Sequence, residues 1–222
     1  MLTKDIIDFL TELKENNTKE WFDLNRKRYE ILRKAWENWV YALITKVHSI
    51  DNALGNIAPK DCVFRIFRDV RFSKDKSPYK TNFGAYICRG GRKSPYAGFY
   101  VHLEPGGSFL SGGIYMPEAA VLKAIRNEIF ENTDEFKSII EQANFKQTFG
   151  EVWGNKLTTS PKGFPKDFAD IDLLKLKDYV CMHYPAESKI FTENYDDYAV
   201  GIFQKMKVFN EFLNSIVTKI KI

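Results

Sequence analysis

Apolar residues in the first third of the chain return every three to four positions, the period of a helix with one buried face. Ile6, Phe9, Leu10 and Leu13 follow Thr3, a side chain suited to capping a helix start. Asn16-Asn17 interrupts the pattern. Thr18 can cap a second helix, with Phe22, Tyr29, Leu32, Trp36, Trp39, Val40, Leu43 and Val47 in one stripe reaching about His48. Arg26, Lys27, Arg33, Lys34 and Glu37 form its charged back, so the stripe reads as core. Gly55 and Pro59 break the loop that follows.

From Val63 the period changes to two, as strands require. VFRIFRDVRF, TNFGAYIC, AGFYVHLE and SFLSGGIYM read as four successive strands, separated by SKDKSPYK, RGGRKSP and the turn signal at Pro105-Gly106. Short strands with short loops predict an antiparallel meander over about 62–116. Pro117 then opens a helix carrying Val121, Leu122, Ile125 and Ile129, and Thr133 caps another with Phe136, Ile139 and Ile140. Residues 149–167 read as irregular, and residues 170–184 as a short helix turning into a strand near Asp178. The last helix runs from about Asp196 to Ile220. The expected fold class is α+β, a mainly antiparallel sheet packed against helices from both ends. One domain over residues 1–222 is expected, helical to about residue 50 and mixed helical and irregular after 117.

Composition narrows the class. With 44% hydrophobic and 15% aromatic residues, the chain has ample core material. No apolar run approaches the roughly 20 residues of a membrane-spanning helix. The acidic, interrupted amino-terminal pattern argues against a secretory signal. Cys62, Cys88 and Cys181 are far apart and match no metal spacing, so a reduced cytoplasmic setting is expected, with no metal and no cofactor. The chain lacks HExxH, CxxC, a phosphate-binding glycine loop and GxSxG, and His48 and His183 stand alone.

Charge is concentrated. Residues 65–80 carry Arg65, Arg68, Arg71, Lys74, Lys76 and Lys80 against Asp69 and Asp75, a net +4 that equals the formal charge of the whole chain. Read as a strand, residues 63–73 place Phe64, Ile66, Arg68, Val70 and Phe72 on one face. Burying the Arg68 guanidinium there requires a dedicated carboxylate or an anion-holding cavity. The loop that follows adds Tyr79 and several hydroxyls to its lysines, donors suited to phosphate or carboxylate. Arg89, Arg92 and Lys93 lie in the next loop, at the far end of the expected hairpin. A solvated sheet face with locally paired charges explains the same pattern without any ligand.

Tyr100, His102 and Glu104 alternate with Phe99, Val101 and Leu103, which places the three polar residues on one strand face. A histidine beside a carboxylate suits acid–base work. Gly112-Gly113 allows a close approach by ligand or backbone, or a bulge. Lys156, Lys162 and Lys166 belong to another basic loop.

FLTELKENNTKEWFDLNRKRYE, FRIFRDVRFSKDKSPYKTNFGAYI, GFYVHLEPGGSFLSGGIYMP and PKGFPKDF together resemble the domain of unknown function 2461 family of mostly bacterial proteins, over nearly the whole chain. The resemblance implies a cytosolic α+β protein and carries no catalytic residues with it. The expected function is binding of an anionic, phosphate-bearing ligand through Arg65, Arg68, Arg71, Lys74, Lys76, Tyr79 and Lys80. One alternative is an enzyme acting on such a ligand, with His102 as acid–base and Asp69 or Glu104 as its partner. Another is a nucleic-acid module in which Tyr79, Tyr86 and Tyr96 stack on bases. The sequence leaves the oligomeric state open.

Overall fold

The helical period of the first third is realised in three pieces, α1 (Lys4–Glu15), α2 (Lys19–Leu24) and α3 (Arg26–Val47), in a computed structural model that describes residues 2–220. Each predicted stripe faces inward: Ile6, Phe9, Leu10 and Leu13 are buried in α1, and Trp36, Trp39, Val40 and Leu43 in α3. Thr18 caps α2 by accepting from the Trp21 amide at 3.3 Å. The single helix expected from Thr18 to His48 breaks at Asn25, whose backbone leaves the helical region (φ −101°, ψ 8°). There the Asn25 side chain donates back to the Trp21 carbonyl, a local bond that competes with helix continuation.

After the short α4 (Pro59–Cys62), strands β1 (Phe83–Ile87), β2 (Gly98–Leu103) and β3 (Phe109–Ile114) form an antiparallel meander. Helices α5 (Ala119–Glu131), α6 (Thr133–Ile140), α7 (Ala143–Phe149) and α8 (Ile171–Lys175) intervene. Strand β4 (Tyr179–His183) then joins β3 antiparallel, giving the order β1-β2-β3-β4, and α9 (Glu187–Ile190) and α10 (Tyr195–Lys219) complete the described chain. The architecture is α+β, as the pattern predicted. Helix α5 begins at Ala119, two residues beyond Pro117, because Glu118 is still extended.

The meander starts at Phe83 and not near residue 62, because the strand expected over residues 63–73 does not form. Only isolated bridges remain of it, Val63 to Ala85 and Phe67 to Tyr79. Of the five residues expected on its apolar face, Ile66 is buried, whereas Phe64 is exposed and Phe72 is 96% exposed. Arg68 interrupts the apolar face and Arg65, Asp69 and Arg71 charge the other, and the segment leaves the sheet edge after Phe64.

The two sheet faces differ. Ala85, Ile87, Phe99, Val101, Leu110 and Cys181 lie on one face and are buried. Helices from both ends cover it, α3 on β1 and α10 on β3, with Phe99 and Phe203 stacked at 4.9 Å. Two α10 amides fix the strand register: Asn210 donates to the Gly98 carbonyl at 3.0 Å, and Asn214 exchanges bonds with Ala97. Register places Tyr86, Tyr100 and Ser111 side by side on the other face, away from the residues that α3 and α10 cover.

Candidate functional site

That second face is the floor of a cleft of about 850 Å³, within the range of about 300–1,000 Å³ usual for small-molecule sites. Strands β1–β4 supply the floor through Tyr86, Tyr100, His102, Phe109, Ser111 and Met182. Phe64, Lys80 and Asn82 form one wall; Arg92, Ser94 and Tyr96 come from the β1–β2 loop. Tyr115, Trp153 and Tyr184 complete the rim. Aromatic rings therefore dominate the lining, and the cationic side chains in it are Lys80 and Arg92.

The strand alternation that puts Tyr100, His102 and Glu104 on one face also links them. The Tyr100 hydroxyl lies 2.9 Å from His102 Nδ1, and His102 Nε2 lies 3.1 Å from Glu104 Oε2. Thr81 donates to the other Glu104 oxygen at 2.9 Å. A carboxylate only accepts, so Nε2 carries the imidazole proton and Nδ1 accepts from the phenol. Burial lowers the His102 pKa below its ordinary value, against the opposing pull of Glu104 and with help from Lys80. Burial raises the Tyr100 phenol. Burial thus favours the neutral phenol and the neutral imidazole. The His102 ring also stacks on Phe109 at 4.5 Å, which fixes its plane.

Backbone geometry brings Tyr100 into place. Gly84 sits opposite His102 on β1, and a β-carbon there would meet the Tyr100 hydroxyl at 2.6 Å. Gly113, with φ of +109°, adopts a backbone that other residues avoid, and its carbonyl lies 2.8 Å from the Tyr86 hydroxyl. Tyr86 is thereby held in the floor, its hydroxyl also 2.9 Å from the Tyr96 carbonyl, and burial pushes its phenol well up.

Lys80 is the one member of the basic segment that lines the cleft. Its backbone amide donates to the Ile66 carbonyl at 2.7 Å, and its ammonium lies 5.3 Å from the Phe64 ring centroid. Burial, and then the nearby Arg65, lower its pKa. Arg92 donates to the Lys60 carbonyl at 2.6 Å. Among the described residues, neither Lys80 nor Arg92 forms an ion pair.

The other candidates lie elsewhere. Arg68 pairs with Asp75 and reaches Ser73 Oγ at 3.4 Å. Asp75 is anchored in turn by the Ser77 amide and hydroxyl, which with Arg68 hold its pKa well below the carboxylate range. Arg71 forms a two-point contact with Asp69, lowering the Asp69 pKa, and Asp69 does not line the cleft that holds His102. Lys76 donates to the Val70 carbonyl, and Arg65 and Lys74 are exposed. Tyr79 is a core residue, stacked on Phe22 at 4.0 Å and bracketed by Asn17 on both backbone groups. Glu104, and not Asp69, is therefore the partner of His102. The cleft residues that sequence reasoning left out are mainly Phe64, Asn82, Phe109, Trp153 and Tyr184. The β2–β3 register sets Phe109 opposite His102, and nothing local in the sequence marks the others.

Asp178 joins the distant rim segments. Its buried carboxylate accepts from the Met116 amide at 2.8 Å and from the Asn155 amide and side chain at 3.0 and 2.9 Å. Met116 takes a positive φ of 51° there. These bonds hold the chain beside Tyr115 and Trp153. The three cysteines are free and buried, and burial pushes their thiols up, to about 11 for Cys88 and about 12 for Cys62 and Cys181. Among the described residues, no three His, Cys, Asp or Glu side chains converge to hold a metal ion, and no helix is long and apolar enough to cross a membrane.

A family model described as a conserved hypothetical protein, DUF2461, matches residues 5–212. No curated protein and no solved structure matches the chain.

Proposed function

Because the chain belongs to the DUF2461 family of conserved hypothetical proteins, whose description names no ligand, we propose from the geometry alone that the cleft binds a small anionic ligand with an aromatic or otherwise flat apolar body. The observation that carries this reading is Lys80, a half-buried ammonium without a carboxylate partner among the described residues, in an aromatic-walled cleft that also holds Arg92. A half-buried cation loses part of its hydration, and an anion offsets that loss most effectively. Lys80 and Arg92 stand at opposite ends of β1, so the negative group and the apolar body can be held at separate points along the cleft. A phosphate or carboxylate suits either cation.

The exposed cations of residues 65–76 act from outside, by raising the local concentration of anions near the cleft. Support for a small ligand over a nucleic acid comes from the tyrosines. Tyr79 is buried against Phe22 and Tyr86 lies in the floor of the cleft, so the two do not form a row of stacking faces along the surface.

The test is a charge series at constant shape. Phenyl phosphate is expected to raise the melting temperature, whereas benzyl alcohol and benzyltrimethylammonium leave it unchanged at equal concentration. Equal shifts for all three, or none for phenyl phosphate, would overturn the reading.

A further inference from the structure

The binding reading leaves the hydrogen-bonded chain in the cleft floor unexplained. A phenol, an imidazole and a carboxylate in line, at 2.9 and 3.1 Å, reproduce the arrangement in which a nucleophile touches a base and a third group orients that base. Serine–histidine–aspartate sites use the same logic, recognised by geometry and role and not by order in the chain. Here Nδ1 faces the hydroxyl and Nε2 the carboxylate. The parts are locked: Thr81 holds Glu104, Phe109 stacks on the imidazole, and Gly84 leaves room for the phenol oxygen.

We propose that Tyr100, His102 and Glu104 form an acyl-transfer site that hydrolyses carboxylic esters bearing a negative charge. This rests on the anion-binding reading, with Lys80, the cation whose charge acts on His102, holding the charged end of the ester. The Tyr100 oxygen attacks the ester carbonyl carbon while its proton passes to His102 Nδ1. The imidazolium so formed is stabilised by Glu104 and returns that proton to the departing alcohol oxygen as the ester C–O bond breaks. Water then attacks the acyl-tyrosine, giving its proton to His102. Nδ1 hands that proton to the Tyr100 oxygen as the acid leaves, restoring the starting state. No oxidant, metal or further co-reactant enters the balance.

The protonation pattern agrees with this use. A buried phenol stays protonated, like an alcohol, until a base removes its proton during attack, and a buried neutral imidazole is that base. Asn82 places its amide 3.4 Å from His102 Nδ1, inside the cleft, where an N–H donor can face the oxyanion that develops on the carbonyl. Tyr100 and His102 are the catalytic residues; Glu104 acts through His102 as a positioning residue.

The experiment uses the full chain with 4-nitrophenyl hydrogen succinate. Expected is a rapid release of about one equivalent of 4-nitrophenolate per chain, then slower turnover, with a succinyl group found on the Tyr100 peptide by mass spectrometry after acid quench. Tyr100→Phe abolishes both the burst and the label. His102→Asn slows the burst by about 100- to 10,000-fold. Glu104→Gln slows turnover and moves the acidic limb of its pH profile to lower pH, which a purely structural role would not do. Release no faster than in folded Tyr100→Phe, or a label on another residue, overturns the proposal. Phenyl phosphate binding is measured separately on the wild-type chain. Binding without release overturns the acyl-transfer site alone, and absence of both overturns the binding reading as well.

Discussion

Tyr100 occupies the space that a side chain at Gly84 would need, for a β-carbon built on Gly84 stands 2.6 Å from the Tyr100 hydroxyl oxygen. The strand partner of His102 is thus a glycine for the benefit of the neighbouring phenol. Gly84→Ala is expected to fold, to lose about 1–3 kcal/mol of stability through overpacking, and to push the Tyr100 hydroxyl away from His102. Denaturant unfolding measures the first effect. A changed His102 titration in an NMR pH series reports the second, and an unchanged titration would contradict the close packing described here.

His102 should titrate below its ordinary value of 6.5. The groups that face it are Tyr100, Glu104 and Lys80, and their variants separate the causes. Lys80→Met removes a like charge and moves the titration up, whereas Glu104→Gln removes the stabilising anion and moves it down. The sign for stability follows. Above 6.5 both folded and unfolded states hold the imidazole neutral and nothing is lost. As pH falls from there towards the folded value, the unfolded chain takes up a proton that the cleft resists, so stability declines. Following the His102 ring proton by NMR decides each direction.

Arg68 gives a sharp division between architecture and binding. Paired with Asp75 and 25% exposed in its side chain, it closes the loop of residues 68–77. Arg68→Met is expected to speed amide exchange through that loop while leaving phenyl phosphate affinity and the melting temperature nearly unchanged, as exposed pairs contribute little. Loss of binding in a folded Arg68→Met chain would restore the basic segment as the site.

Asp178 predicts a larger effect from a residue outside the cleft. Asp178→Ala leaves three N–H donors, from Met116 and Asn155, without their acceptor. A loss of about 2 kcal/mol or more is expected, because buried unsatisfied donors are expensive. Hydrogen exchange should rise first at residues 153–155 and 116, loosening the rim formed by Trp153 and Tyr115. Uniform destabilisation without that local signature would mean that Asp178 does not position the rim.

The sequence revealed what a single element determines. Helical stripes such as Phe9-Leu10-Leu13 reach the core because the residues on one face of one helix share one fate. The alternation in β2 placed Tyr100, His102 and Glu104 together for the same reason, and the distances bear out that shared face. What one element cannot determine was lost. The charged segment over 63–73 has strand-like alternation but no neighbour along most of its length, so it forms bridges and not a strand. Lys80 and Arg92 share a cleft only because β1 separates them by its own length, and Trp153 joins them through Asp178, far along the chain. The alternation puts Arg68 on a buried strand face, in need of a carboxylate; the strand does not form, and Arg68 pairs instead in a partly exposed loop with Asp75, a few residues away.

The central claim is that Lys80 holds an anion in the aromatic cleft, with Arg92 at the far end of β1. The most direct measurement is calorimetric titration of phenyl phosphate into the wild-type chain, Lys80→Met, Arg92→Met and a Lys74→Met control outside the cleft. Saturable binding with one site per chain is predicted, weakened about tenfold or more by Lys80→Met and less by Arg92→Met, as loss of a charge-assisted bond of about 1.5–3 kcal/mol implies for the cation that holds the phosphate. Lys74→Met should bind as the wild type does. Equal affinity in all four proteins would contradict the account.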